Sequence, residues 1–364
     1  MDTDKRLASL DTLRGFDMMF IMGVASLIVA ICQLFPGGGY CWLAQQMYHV
    51  GWDGLHHHDT IFPLFLFIAG VSFPFSYAKQ QARGVSKGGI YCKIFRRALI
   101  LVLLGMVVGG LLQFKFSTLR FYSVLGRIGL AWMFAALLYI NAGQRTRVVV
   151  AAVILAGYCV LCRIPAPDAP GADPLSMEGC LVGYIDRCLF PGHLYDGIFD
   201  PEGLLSLLPA IVTAMLGMFA GEVVRGSASG GRKTLVLLAA AVAMLAAGLV
   251  LSRWFPINKK LWSSSFVLVV GAYSMAMFAL FYWIIDVKGW DGWTMPFKVI
   301  GMNSITIYMA QEFIDFHYTR DFLFGGLAGL MPEAVANVVL CAGYVAVCWL
   351  FLYFLYKKKV FVKI

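Results

Sequence analysis

Ten stretches of this chain are long and apolar enough to leave water altogether. They run over residues 12–35, 60–78, 98–116, 121–140, 148–162, 203–223, 235–251, 261–285, 297–316 and 334–356. About 20 such residues carry a helix across the hydrocarbon of a bilayer. Charge agrees with this: 13% of residues are charged, 60% are apolar, and mean hydropathy is +0.77. A soluble domain of 364 residues needs about twice that charge to cover its surface. The expected fold is all-α, a polytopic membrane protein of about ten transmembrane helices forming one domain over residues 1–364. The first stretch is too long for a cleavable signal peptide and has no small-residue cleavage site. No internal repeat or low-complexity tract interrupts the pattern.

Basic residues set the expected orientation. With a cytoplasmic N-terminus and alternating spans, 19 Lys and Arg fall inside and 8 outside, Arg14 and Arg127 lying within spans. The inner set is Lys5, Arg6, six residues from Lys79 to Arg97, Arg145, Arg147, Arg225, Arg232, Lys233, Lys288, Lys298 and four from Lys357 to Lys363. The outer set includes Lys115. This follows the positive-inside rule and places both termini in the cytoplasm. It also accounts for the net charge of +9 without nucleic acid. All six histidines then face outward, as does an acidic connection at about 165–202, expected to be ordered. The nine cysteines show no metal spacing; Cys180 and Cys188 in the outer loop are close enough in sequence to pair.

Polar groups inside spans are expensive, about 2.5–3.5 kcal/mol each on insertion scales, so each is a functional candidate. Asp11 and Arg14, three apart on one helical face, form either a local ion pair with a helix cap or the mouth of a site for an anionic ligand. Asp17 lies a turn deeper. Arg127 requires a partner: a carboxylate such as Asp17, or a phosphate or pantetheine group. In the ninth stretch Asn303 and Ser304 are either glue between helices or part of a site; Glu312 is harder to explain as glue. The segment from His49 to Pro63 is the richest. His56, His57 and His58 are adjacent, so they cannot readily converge on one ion, and no metal is expected. His49 precedes a span whose mouth carries Asp59. An imidazole oriented by a carboxylate is what general-base or acyl-accepting chemistry needs.

Several motifs, in register along nearly the whole chain, resemble the heparan-α-glucosaminide N-acetyltransferase family of transmembrane acyltransferases. They are Ser9-Leu10-Asp11-Thr12-Leu13-Arg14-Gly15, His49-x-x-Trp52-Asp53-Gly54-Leu55 with Asp59-x-x-Phe62-Pro63, Gly183-Tyr184-Ile185-Asp186-Arg187, and His193-Leu194-Tyr195. Asp200-Pro201-Glu202-Gly203, Pro256-Ile257-Asn258-Lys259-Lys260-Leu261-Trp262-Ser263, Gly301-Met302-Asn303-Ser304 and the basic C-terminus complete the set. The resemblance implies acetyl transfer from cytosolic acetyl-CoA to a glucosamine-like amino sugar on the outer side. The family's essential histidine matches His49, and its first-span aspartate and arginine match Asp11 and Arg14. Family members carry an Asn in the first span where this chain has Ala25, and His56–His58 match no family residue. The lysosomal members' extra luminal segment and leading span are not expected here, which suits a multi-pass protein of the bacterial inner (plasma) membrane.

Together these readings assign catalysis to His49, Asp59 and Asp17. Acetyl-CoA contacts fall to Asp11, Arg14, Arg127, Asn303, Ser304, Lys358 and Lys359. Acceptor contacts fall to Trp52, by stacking on a sugar face, and to Asp200, Glu202, Asn258 and Glu312. Expected partners are acetyl-CoA, an amino sugar or glycan and the lipid bilayer; a homodimer is an open oligomeric state. The alternatives are a glycan O-acyltransferase and a transporter of sugar or peptidoglycan fragments. Against the latter, no inverted repeat or pair of broken helices is visible.

Overall fold

A computed structural model describes residues 7–114, 116 and 119–362. Lys5, Arg6, Lys115 and Lys363, used above for orientation, lie outside the described residues. Among those described, thirteen helices set the architecture: α1 Ala8–Cys32, α2 His57–Ala82, α3 Lys87–Val108, α4 Val124–Asn141, α5 Gln144–Leu161, α6 Leu181–Leu189 and α7 Leu207–Arg225. There follow α8 Gly230–Leu251, α9 Ser264–Val287, α10 Met295–Met302, α11 Ser304–Phe313, α12 Phe316–Ala328 and α13 Glu333–Lys357. The protein is an all-helical, polytopic membrane protein.

Eight of these helices are long and apolar enough to cross a membrane, and the two remaining sequence stretches take other forms. The third begins at Lys87 rather than 98, because Ser86 caps the helix by accepting from Gly89 N–H. Lys93, Arg96 and Arg97 thereby enter the helix. The ninth breaks at Asn303, whose backbone leaves helical geometry (φ −129°, ψ 30°), so α10 and α11 are two short helices.

Burial separates centre from periphery. Within their most apolar stretches α2, α7 and α9 are 61–67% buried, whereas α5, α8 and α13 reach only 17–22%. The outer helices therefore keep most of their apolar surface for lipid. Close crossings hold the centre. A Cβ on Gly70 of α2 would lie 2.2 Å from Ala214 O, and one on Gly217 of α7 2.0 Å from Phe67 O. Gly15 of α1 and Gly301 of α10 meet in the same way, with a Cβ on Gly301 falling 1.9 Å from Asp11 O. Such small-residue contacts replace the hydrophobic drive that lipid cannot supply.

Polar contacts divide the bundle into two ends. At one, Asp286 near the end of α9 accepts from Ala8 and Ser9 N–H (both 3.2 Å), and Arg147 pairs with Glu222 at 2.7 Å. At the other sits the 165–202 connection. It is tied down by α6, by an Asp168–Arg187 pair with two bonds of 2.8 Å, and by Lys260–Asp196 at 2.8 Å. Cys180 caps α6 by accepting from Gly183 N–H while Cys188 is exposed in its last turn; both are free, so the pairing open in the sequence does not form. The two turns of α6 between them set the cysteines about 12 Å apart along the helix axis, at ~1.5 Å of rise per residue.

Candidate active site

At the loop-bearing end, His49 Nδ1 lies 2.7 Å from Asp59 Oδ1. Asp59 is nearly fully buried in the first turn of α2, and its Oδ2 accepts from Val50 N–H (3.2 Å) and His56 N–H (3.1 Å). Backbone donors thus fix the carboxylate while the imidazole stays about half exposed, with 54% of its side chain accessible. Lys259 Nζ completes the cluster, 3.0 Å from His49 Nδ1 and 3.3 Å from Asp59 Oδ1. Burial pushes the Lys259 ammonium below the usual lysine range, and Asp59 opposes that shift. A carboxylate-bound Nδ1–H leaves Nε2 as the free, basic nitrogen, an arrangement able to take a proton or an acyl group.

The neighbouring histidines are not equivalent. The His58 ring meets the His49 ring edge-on at 4.5 Å, and His57 Nε2 lies 3.3 Å from Tyr273 OH, while His56 Nδ1 faces Tyr48 O at 3.0 Å. Among the described residues no three His, Cys, Asp or Glu side chains converge as a metal cage. Asp17 is buried deeper in α1, its Oδ2 without a partner among the described residues. It touches neither Arg127 nor the His49 cluster in any bond among those residues.

Beside this cluster, Arg120 binds Asp200 through two bonds of 2.6 and 2.7 Å and also binds Glu202. Although burial opposes its charge, Asp200 and Glu202 hold the Arg120 guanidinium above its usual range. Arg127, nearly fully buried, donates to Ser206 Oγ and Gly203 O and stacks over Trp262 at 4.9 Å. The Arg127–Asp17 pair, one of the two alternatives open in the sequence, is therefore not formed.

A cavity of about 300 Å³ lies between α1, α2, α3, α4, α10 and α11. Arg14, Arg97 and Ser304 contribute its polar groups, and Phe62 and Tyr308 lie along its wall. Phe62, at one end of this lining on α2, is one turn beyond Asp59. Arg14 reaches Asp11 at 3.3 Å, and Arg97 places its guanidinium 4.2 Å over the Trp132 ring. Val362, from the tail after α13, also lines the space.

The family profile for heparan-α-glucosaminide N-acetyltransferase, catalytic, matches residues 6–247 of this chain. The chain belongs to this family. Two similar proteins are the heparan-α-glucosaminide N-acetyltransferases of mouse and human, 27% and 28% identical over 99% of this chain. The chain spans 60% of the length of these relatives.

Several residues of this acetyltransferase-family chain stand elsewhere than the sequence suggested. Trp52, half-buried, donates its indole N–H to Leu175 O (2.8 Å) and packs its ring edge-on against Phe199. Asn258 is fully buried, donating to Asp53 (3.1 Å) and accepting from Leu261 N–H (2.8 Å), so it shapes a turn rather than facing an acceptor. Asp200 is likewise consumed, by Arg120 and by the N–H groups of Tyr195 and Glu202. Arg127 does not line the cavity. Asn303 clamps the tail, donating to Val360 O (3.1 Å) and accepting from Val362 N–H (3.4 Å). Lys358 and Lys359 are exposed just beyond α13, and Glu312 is exposed near the end of α11.

Three residues escaped the sequence reading. Lys259 stands 210 positions from His49 in sequence, and Arg97 counts there only among the basic residues that set orientation. His58 was hidden among three neighbours of one type. The NKKLWS turn was a signal for Lys259, since the motif had already been singled out.

Proposed function

We propose that the chain transfers an acetyl group from acetyl-CoA to an amino sugar across a bacterial plasma membrane. The carrying observation is the His49–Asp59 pair held at 2.7 Å at one end of the bundle. A cavity with Arg14 and Arg97 among its lining residues, and with Phe62 one turn from Asp59 in its wall, supports the reading. The guanidinium groups suit the phosphates of CoA, and the narrow apolar remainder suits the pantetheine arm. The positive-inside bias puts the Arg14 end in the cytoplasm and His49 outside. Asp59 holds Nδ1–H, so His49 Nε2 removes a proton from the acceptor amine as its nitrogen attacks the thioester carbonyl. The C–S bond breaks, and the departing thiolate takes the proton from the imidazolium. An acetyl-imidazole route uses the same nitrogen as nucleophile.

The test combines binding and turnover. Purified protein is expected to bind acetyl-CoA at equilibrium and to acetylate glucosamine. His49→Ala is expected to lower turnover about 10²–10⁴-fold, the usual loss for a positioned base, with acetyl-CoA affinity unchanged. Failure to bind acetyl-CoA removes the acyltransferase reading and favours transport; acetylation of glycan hydroxyls alone moves it to O-acyl transfer.

A further inference from the structure

Nothing in the reaction just described uses Lys259, although its ammonium lies closer to His49 Nδ1 than a surface lysine has reason to be. We infer that Lys259 is a positioning residue whose charge offsets that of Asp59 at His49, so that the imidazole releases its proton between turnovers. The inference rests on the proposed role of His49.

The placement is built into the chain. Lys259 sits in the turn between α8 and α9, which Asn258 organises from a fully buried position: its N–H donates to Ser263 Oγ (3.0 Å) and its side-chain oxygen accepts from Leu261 N–H. Two further bonds staple that turn to the His49 segment. Asn258 Nδ2 donates to Asp53 at 3.1 Å, and Gly54 N–H donates to Ile257 O at 2.8 Å. The lysine is therefore delivered to the same few residues that carry His49 and Asp59, across more than 200 positions of sequence.

Its chemical effect follows from charge and geometry. A base must gain a proton and then lose it. A buried carboxylate fixed by two backbone N–H groups attracts a positive charge beside it, which helps the first step and hinders the second. Lys259 Nζ, 3.3 Å from the same carboxylate oxygen and 3.0 Å from Nδ1, opposes the imidazolium by like-charge repulsion. Nδ1–H donates to Asp59 and so cannot also accept from the ammonium, which leaves Nε2 as the working nitrogen. The titratable and charged groups facing Lys259 are Asp59, His49, His58, Glu202 and Arg127; those facing His49 are Asp59, Lys259 and His58.

The test is the rate–pH profile of the full chain in detergent, read as CoA release from acetyl-CoA with glucosamine as acceptor. In Lys259→Met the acid limb is expected to move to higher pH by about one unit, a tenfold lower rate on that limb, with the alkaline plateau near that of the unsubstituted protein. Lys259→Arg is expected to keep the original limb. The acceptor amine titrates identically in every variant and cancels in the comparison. A Lys259→Met profile lowered equally at all pH values, with its limb unmoved, marks a structural contact and overturns the inference. Lys259→Gln, read in the same way, decides the matter where the Met variant does not fold. His49→Ala with normal turnover overturns both the function and this inference; an inactive His49→Ala with an unmoved lysine-variant limb overturns this inference alone.

Discussion

Three adjacent histidines of one chemical type have three different surroundings. Sequence alone treats His56, His57 and His58 as interchangeable and outside the chemistry, because nothing in a run of identical residues says which way each side chain turns. The turn opening α2 decides it, directing His58 onto the His49 ring and His56 towards Tyr48. An edge-on ring contact contributes about 0.5–1.5 kcal/mol, and each 1.36 kcal/mol is a factor of ten in rate. His58→Ala is therefore expected to slow turnover by a few-fold to about tenfold, and His56→Ala by clearly less, since its backbone N–H still serves Asp59. Equal losses, measured as CoA release, would remove the distinction. Pairing of His49 with Asp59 was foreseeable, ten residues apart around one turn. For Lys259 the motif around it was the one signal, because no periodicity links positions so distant.

Among the elements, the 165–202 connection is held by a group that titrates. Asp186 of α6 is fully buried, bonded to Tyr122 OH (2.8 Å) and Leu204 N–H (3.0 Å). Burial raises its carboxyl to about 6 against those two bonds. A carboxyl raised in the folded state favours its neutral form there. Its contribution is fully present below the unfolded value near 4 and is lost as pH rises through about 6. A shift of about two units corresponds to roughly 3 kcal/mol. The connection is expected to be cut by protease more slowly at pH 4.5 than at pH 7.5, with Asp186→Asn removing most of that difference. A pH-independent cleavage rate in the unsubstituted protein would contradict this. Hydropathy located this connection but not its anchors, which come from residues in α6, in the segment before α4 and in the segment before α7.

For the whole molecule, the spans were legible because lipid tolerates little else than apolar helix, and eight of the ten stretches form helices of sufficient length, the first of them kinked at Gly23 (φ 123°). The two that differ do so for local reasons invisible to hydropathy: a serine cap drew α3 back over four basic residues, and Asn303 interrupted the ninth stretch. Sidedness has a direct check. Single cysteines at Lys87 and His49 are expected to label from opposite faces of intact cells, with position 49 outside; labelling of both from one face would invert the proposed route.

The glycine crossings also decide which helices are joined as pairs around the cavity. Backbone contact between α1 and α10 at Gly15 and Gly301, and between α2 and α7 at Gly70 and Gly217, leaves no slack for either pair to slide apart. The α3–α4 pair forms the remaining long wall of the cavity, through Arg97, Leu101, Leu125 and Ile128. Gly129 of α4 packs on Leu101 and Ala98 of α3, so these two helices travel together. The two guanidinium groups of the chamber are accordingly carried by different helix pairs, Arg14 by the α1–α10 pair and Arg97 by the α3–α4 pair.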